Sequence, residues 1–223
     1  MLDIKNKDEP MLTLILVRHG YSTSNASGTY TGQKDAPLNE IGFAQAAQLA
    51  DHLCKSYKID AVYASDLSRA VETVRPTAER LGLATHLERN LRELDTGKWT
   101  DVPYAEVKER FAADFAAYGQ SLDAPCTGGE CIREACNRLL GCIDRIAQKE
   151  DGKTVLVCSH ALCCRLFAAL SDTGSIESIR GHGAPPNASF SVYEYENGTV
   201  RAVLQHYANH LDNATKTTFK ALV

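Results

Sequence analysis

Two periods of hydrophobic and polar positions alternate along the chain. Leu12 to Val17 is an unbroken apolar run of strand length that stops at Arg18-His19-Gly20, the pattern of a buried strand giving way to a loop. Ala61-Val62-Tyr63-Ala64 and Thr154 to Cys158 repeat it, the latter stopping at Ser159-His160. Asn39 precedes a segment in which Ile41, Ala44, Ala47, Leu49 and Leu53 recur at broadly helical spacing, which predicts a capped helix packed on a sheet. Ser65 or Asp66 is placed to cap a second helix carrying Arg69, with Pro76 kinking or restarting it. A short strand is predicted near His86, a loop over Asn90 to Asp101, and helices over about Pro103 to Tyr118 and Glu130 to Gln148. Leu162, Leu166 and Leu170 mark a further helix, and Asn197-Gly198 joins two strand-like runs, Ser189 to Tyr195 and Thr199 to Leu204, as a β-hairpin.

Strands alternating with helices predict an α/β fold, layered α/β/α, whose closing hairpin makes the central sheet mixed and mostly parallel. No repeat or linker interrupts the 223 residues, so one domain is expected over 1–223. Residues 1–10 are expected to be flexible, and about 100–130 to form a helical cap. In such sheets ligands bind beyond the carboxyl ends of the strands. Arg18-His19, Asp66 to Arg69, Glu93 and Ser159-His160 all fall just past predicted strands.

Composition narrows the function classes. Hydrophobic residues at 44% and charged residues at 23% are ordinary for a globular protein with a packed core. A net charge of -4, with no basic run interleaved with aromatics, argues against a nucleic-acid partner. The charged segment Met1 to Pro10 is unlike a signal peptide, and no apolar run nears the roughly 18 residues that span a bilayer. A cytoplasmic location and no membrane partner are therefore expected. Eight cysteines in a chain of this size read as free thiols, and without a Cys-x-x-Cys pair no metal site is expected. Oligomeric state is not legible.

A phosphomonoester calls for a nucleophile, fixed cationic donors and an acid for the departing alkoxide. The blocks Leu16 to Asn25, Thr31-Gly32, Asp35 to Gly42, Ser65 to Thr73, Leu91 to Trp99 and Ser159-His160, with weaker matches at Asn187 and Asn209-His210-Leu211, together span nearly the whole chain. In this order they resemble the histidine phosphatase superfamily, which also contains cofactor-dependent phosphoglycerate mutases. The resemblance implies a phosphoglycerate mutase-like fold, a small phosphorylated metabolite as partner and no cofactor. It implies that His19 attacks phosphorus and becomes phosphohistidine, that Glu93 donates the proton to the leaving oxygen, and that Arg18, Arg69 and His160 stabilise the transferred group. Asn25 and the Ala161 backbone N–H are implied phosphate donors. Tyr21, Thr31, Gly32 and His182 are candidate substrate contacts.

The chain departs from the family pattern in several places. Tyr21 stands where Glu or Gln is frequent, Ala161 where Gly is frequent, Cys131 where Ser often follows Gly-Glu, and Thr100-Asp101 in place of Glu-Gly. No catalytic group is lost by these changes. Val102 to Asp123 lacks the paired arginines and proline run associated with mutases, so hydrolysis is expected over mutase-type transfer. A non-catalytic phospholigand-binding protein on the same fold is the alternative from another class.

Overall fold

A computed structural model describes residues 11–217. Residues 1–10, expected to be flexible, lie outside them. Six strands form one sheet: β1 (Met11–Arg18), β2 (Ala61–Ala64), β3 (Thr85–Leu87), β4 (Thr154–Ser159), β5 (Phe190–Glu196) and β6 (Thr199–Tyr207), in spatial order β3-β2-β4-β1-β5-β6. The first four neighbours pair in parallel, whereas β5 and β6 are antiparallel. This is the expected mostly parallel mixed sheet.

The apolar run of β1 is continuous because both faces of the sheet are covered. Leu12, Leu14 and Leu16 join one buried cluster with α6 (Ile132–Lys149) and α7 (Ala161–Thr173). Ile15 and Val17 join the other, with α2 (Glu40–Ser56) and α3 (Ser68–Leu81). The remaining helices are α1 (Thr23–Ser27), α4 (Tyr104–Arg110) and α5 (Ala112–Gln120). At the hairpin, Asn197 and Gly198 have φ of 45° and 79°, the positive pair that a two-residue turn between twisted strands requires.

Four expectations are corrected. In α2, Ile41, Ala44 and Ala47 are exposed, and the buried face is Gly42, Gln45, Ala46, Leu49, Ala50 and Leu53. Gln45 turns that face inward, accepting from the Tyr21 N–H at 2.8 Å and donating to the Thr215 carbonyl at 2.7 Å. Neither Ser65 nor Asp66 caps α3; Leu67 holds the cap position without a side-chain bond. Asp66 is drawn away by Arg92, at 2.6 and 2.7 Å, while Asp35 accepts from the Ser68 N–H at 2.8 Å. Pro76 does not restart the helix, because it lies inside α3, which runs from Ser68 to Leu81 without a break. The single helix expected over about 103–118 divides at Phe111 (φ -129°, ψ 43°) into α4 and α5. That break lets the Phe111 and Phe115 rings pack on Trp99.

All eight cysteines are unpaired, and all but Cys54 are buried. Among the described residues no helix is long and apolar enough to cross a membrane.

Candidate active site

Sheet register builds the site. Arg18 of β1 pairs with Ser159 of β4, so the next residues, His19 and His160, emerge abreast at the carboxyl ends of two parallel strands. Their ring centroids lie 5.1 Å apart with planes tilted by 57°. Nδ1 of His19 is 2.7 Å from the Gly20 carbonyl oxygen. A carbonyl only accepts, so Nδ1 carries the proton and Nε2 keeps its lone pair. Burial, then the Arg69 and Arg18 charges, hold the His19 pKa well below the usual imidazole value, and the ring is neutral at pH 7. His160, the cap residue of α7, is depressed by burial, Arg69, His19 and Arg18. Both of its ring nitrogens are buried without a hydrogen-bond partner among the described residues, a state that native proteins seldom leave without a use.

Two buried arginines stand beside the histidines. Arg69 donates from Nη2 to the Gly32 carbonyl at 3.0 Å and from Nη1 to the Lys34 carbonyl at 2.8 Å; burial lowers its pKa to about 10. Arg18 donates to the Pro185 carbonyl through Nη1. The Asn25 amide oxygen accepts from the Ser22 N–H at 3.1 Å, the Ser22 hydroxyl at 3.0 Å and Asn187 Nδ2 at 3.1 Å. Three donors on one oxygen assign the amide orientation, with the nitrogen on the other side of the group. Oε1 of Glu93 accepts from the N–H of Leu94 at 2.9 Å and of Leu162 at 3.3 Å, which fixes the carboxylate at the start of α7.

Arg18, His19, Asn25, Thr31, Gly32, Arg69, Glu93 and Ala161 line one cleft, with His160 beside His19. Besides His160, two of the sequence candidates fall outside its walls. Tyr21 packs over the loop, its hydroxyl 3.4 Å from the Asn25 carbonyl. His182 instead accepts Arg165 Nε through its backbone carbonyl at 2.7 Å, because the turn over 176–181 directs that carbonyl toward α7.

The family model of the histidine phosphatase superfamily (branch 1) matches residues 14–208. The chain belongs to this superfamily. It is 32% identical over 188 residues to phosphoserine phosphatase 1 of Hydrogenobacter thermophilus, covering 83% of this chain and 88% of that one. It is 31% identical over 196 residues to a 2,3-bisphosphoglycerate-dependent phosphoglycerate mutase of Rhizobium etli, covering 82% and 90%. The solved structure of Bacillus stearothermophilus YhfR superposes with a TM-score of 0.81 at 25% identity, covering 90% of this chain and 100% of that one.

Within this superfamily fold, the cleft has walls that sequence reasoning did not identify: Tyr30, Leu94, Thr96, Tyr104, Tyr118, Leu162 and Arg165. The aromatic members are organised by Trp99, which is fully buried, donates from Nε1 to Thr127 Oγ1 at 3.1 Å, and meets the rings of Tyr30 and Tyr118. Helical spacing around Tyr104 and Tyr118 signals packing, and only the break at Phe111 shows which way these rings face. Arg138 was also missed. All five of its N–H groups are used, two on the Glu130 carboxylate and three on the carbonyls of Asn90, Arg92 and Glu93.

Proposed function

We propose that the protein is a metal-independent phosphomonoesterase that hydrolyses small phosphorylated metabolites through a phosphohistidine on His19. The observation that carries this reading is the His19 tautomer, with Nδ1–H held by the Gly20 carbonyl at 2.7 Å and Nε2 available beside two buried arginines. Arg18 and Arg69 receive the phosphoryl oxygens, and the unpartnered His160 and the Asn25 amide supply further contacts. The Ala161 N–H, at the first residue of α7, adds the partial positive charge of a helix start.

In the first half-reaction Nε2 forms a bond to phosphorus as the ester P–O bond breaks, and the Glu93 proton passes to the departing alkoxide oxygen. In the second, the Glu93 carboxylate takes a proton from water, water oxygen bonds to phosphorus, and the N–P bond breaks with its electrons returning to Nε2. The group carrying the nucleophile is neutral at both ends of the cycle, as its buried, cation-flanked position favours.

Phosphate release from p-nitrophenyl phosphate and a panel of natural phosphomonoesters, in excess EDTA, tests the reading, with His19→Ala as control. Metal-independent release that the variant loses is the expected result. Silence across the panel overturns hydrolysis and favours mutase-type transfer or phospholigand binding.

A further inference from the structure

Resting on the reading above, we infer that the preferred substrate carries a carboxylate on the alcohol side of its phosphate ester, and that Arg165 is the residue that selects it. Three arginines line the cleft, Arg18, Arg69 and Arg165. The first two stand at the reacting end, where they act on His19. Arg165 lies on α7, four residues beyond Ala161, which places it about 6 Å farther along the helix axis. It acts there on the Tyr118 phenol of the cap. Arg165 thus faces the part of the cleft where the leaving group must lie.

The guanidinium is aimed. Nε donates to the His182 carbonyl at 2.7 Å and Nη2 to the Ile179 carbonyl at 3.1 Å, so one edge of the planar fork is tied to the backbone. The opposite edge, Nη1 with the second Nη2 proton, remains to bind a ligand. Arg165 has no ion-pair partner among the described residues, in contrast to Arg92, Arg133 and Arg138. A half-buried cation with no carboxylate of its own, beside Leu162 and Tyr118, is best matched by an anion on the ligand. One fork balances one charge. The doubly charged phosphoryl group already has two arginines, so the distal anion is the singly charged, planar carboxylate rather than a second phosphate.

The test uses 3-phosphoglycerate and glycerol 3-phosphate, which differ by a carboxylate against a hydroxymethyl group. Their affinities are measured by calorimetry on the His19→Ala protein with Arg165 intact and with Arg165→Met added. Their kcat/KM values are measured on the wild type and on Arg165→Met alone. The inference expects the carboxylate member to bind and turn over better by on the order of tenfold, and Arg165→Met to collapse that ratio toward one. Because the ratio is taken within one protein, loss of folded material cancels. Equal affinity for the two compounds in the Arg165 protein overturns the inference, and so does an undiminished ratio in Arg165→Met. A binding preference that Arg165→Met abolishes, with no phosphate released by the wild type, upholds the carboxylate site and overturns hydrolysis instead.

Discussion

Arg138 and Glu130 meet in a two-pronged pair, with Nε and Nη2 each 2.9 Å from a carboxylate oxygen, and the rest of that guanidinium grips the turn that carries Glu93. Glu130 Oε2 also accepts the Asp95 N–H at 3.0 Å, and Gln33 Nε2 donates to the Glu93 carbonyl at 3.2 Å. Gln33 follows Gly32, whose carbonyl holds Arg69. One hydrogen-bond network therefore sets the spacing between the proposed proton donor and an arginine proposed to bind phosphate. Arg138→Lys keeps the charge but cannot reproduce five directed donors. It is expected to lower kcat by about 10- to 100-fold with a much smaller change in KM, because small misplacements of catalytic groups are costly. Steady-state kinetics beside a circular dichroism spectrum checks this, and a near-native kcat in Arg138→Lys would rule out a positioning role.

A pH prediction follows from the buried histidines. Burial and the flanking arginines depress both His19 and His160 below the ordinary imidazole value, so the unfolded chain binds these protons at higher pH than the folded one. Below about pH 6.5 the unfolded state takes up protons that the folded state refuses. Stability from these two residues is therefore full above that value and declines as pH falls. In ¹³C-histidine spectra of the folded protein both rings should remain in the neutral form through pH 6.5. Midpoints at or above 6.5 would contradict the neutral-nucleophile assignment.

Leaving-group dependence separates the proposed tasks of Glu93. Its carboxylate is held at the start of α7 by the Leu94 and Leu162 N–H groups. Glu93→Gln retains the shape but cannot donate the acid proton, and general acids contribute roughly 10²- to 10⁴-fold. Turnover of alkyl phosphates is expected to fall across that range, and formation of phosphohistidine from p-nitrophenyl phosphate much less. Burst kinetics with the phenolate and alkyl esters measures the difference; an equal loss for both would place the role of Glu93 elsewhere.

Much of the candidate site was legible because its residues sit at strand ends. The apolar runs into Arg18-His19 and Ser159-His160 fix two parallel strands, and their register brings the histidines together. The hairpin and sheet type were equally open to pattern. The helix face of α2 was not, because buried Gln45 is chosen by two backbone partners distant in sequence, which periodicity treats as polar and outward. Asp66 and Arg138 escaped for the same reason. Each is an ordinary helix-region charge until tertiary contacts select Arg92 for one and the carbonyls around Glu93 for the other.

Gly32 joins backbone conformation to the placement of Arg69. Its φ is +52°, in the left-handed region that favours glycine, and an added Cβ would lie 2.3 Å from Thr96 Oγ1 and 3.0 Å from the Thr96 N. Thr96 is buried and its hydroxyl is 2.9 Å from Thr100 Oγ1, so it has little room to yield. The carbonyl of Gly32 in turn fixes Arg69 Nη2. Gly32→Ala is therefore expected to lose about 1–3 kcal/mol of stability and to weaken vanadate or phosphate binding by releasing Arg69 from its backbone anchor. Thermal unfolding with and without vanadate measures both effects in one protein. A destabilised variant that gains the same vanadate-induced shift as the wild type would show that the Gly32 carbonyl does not position Arg69.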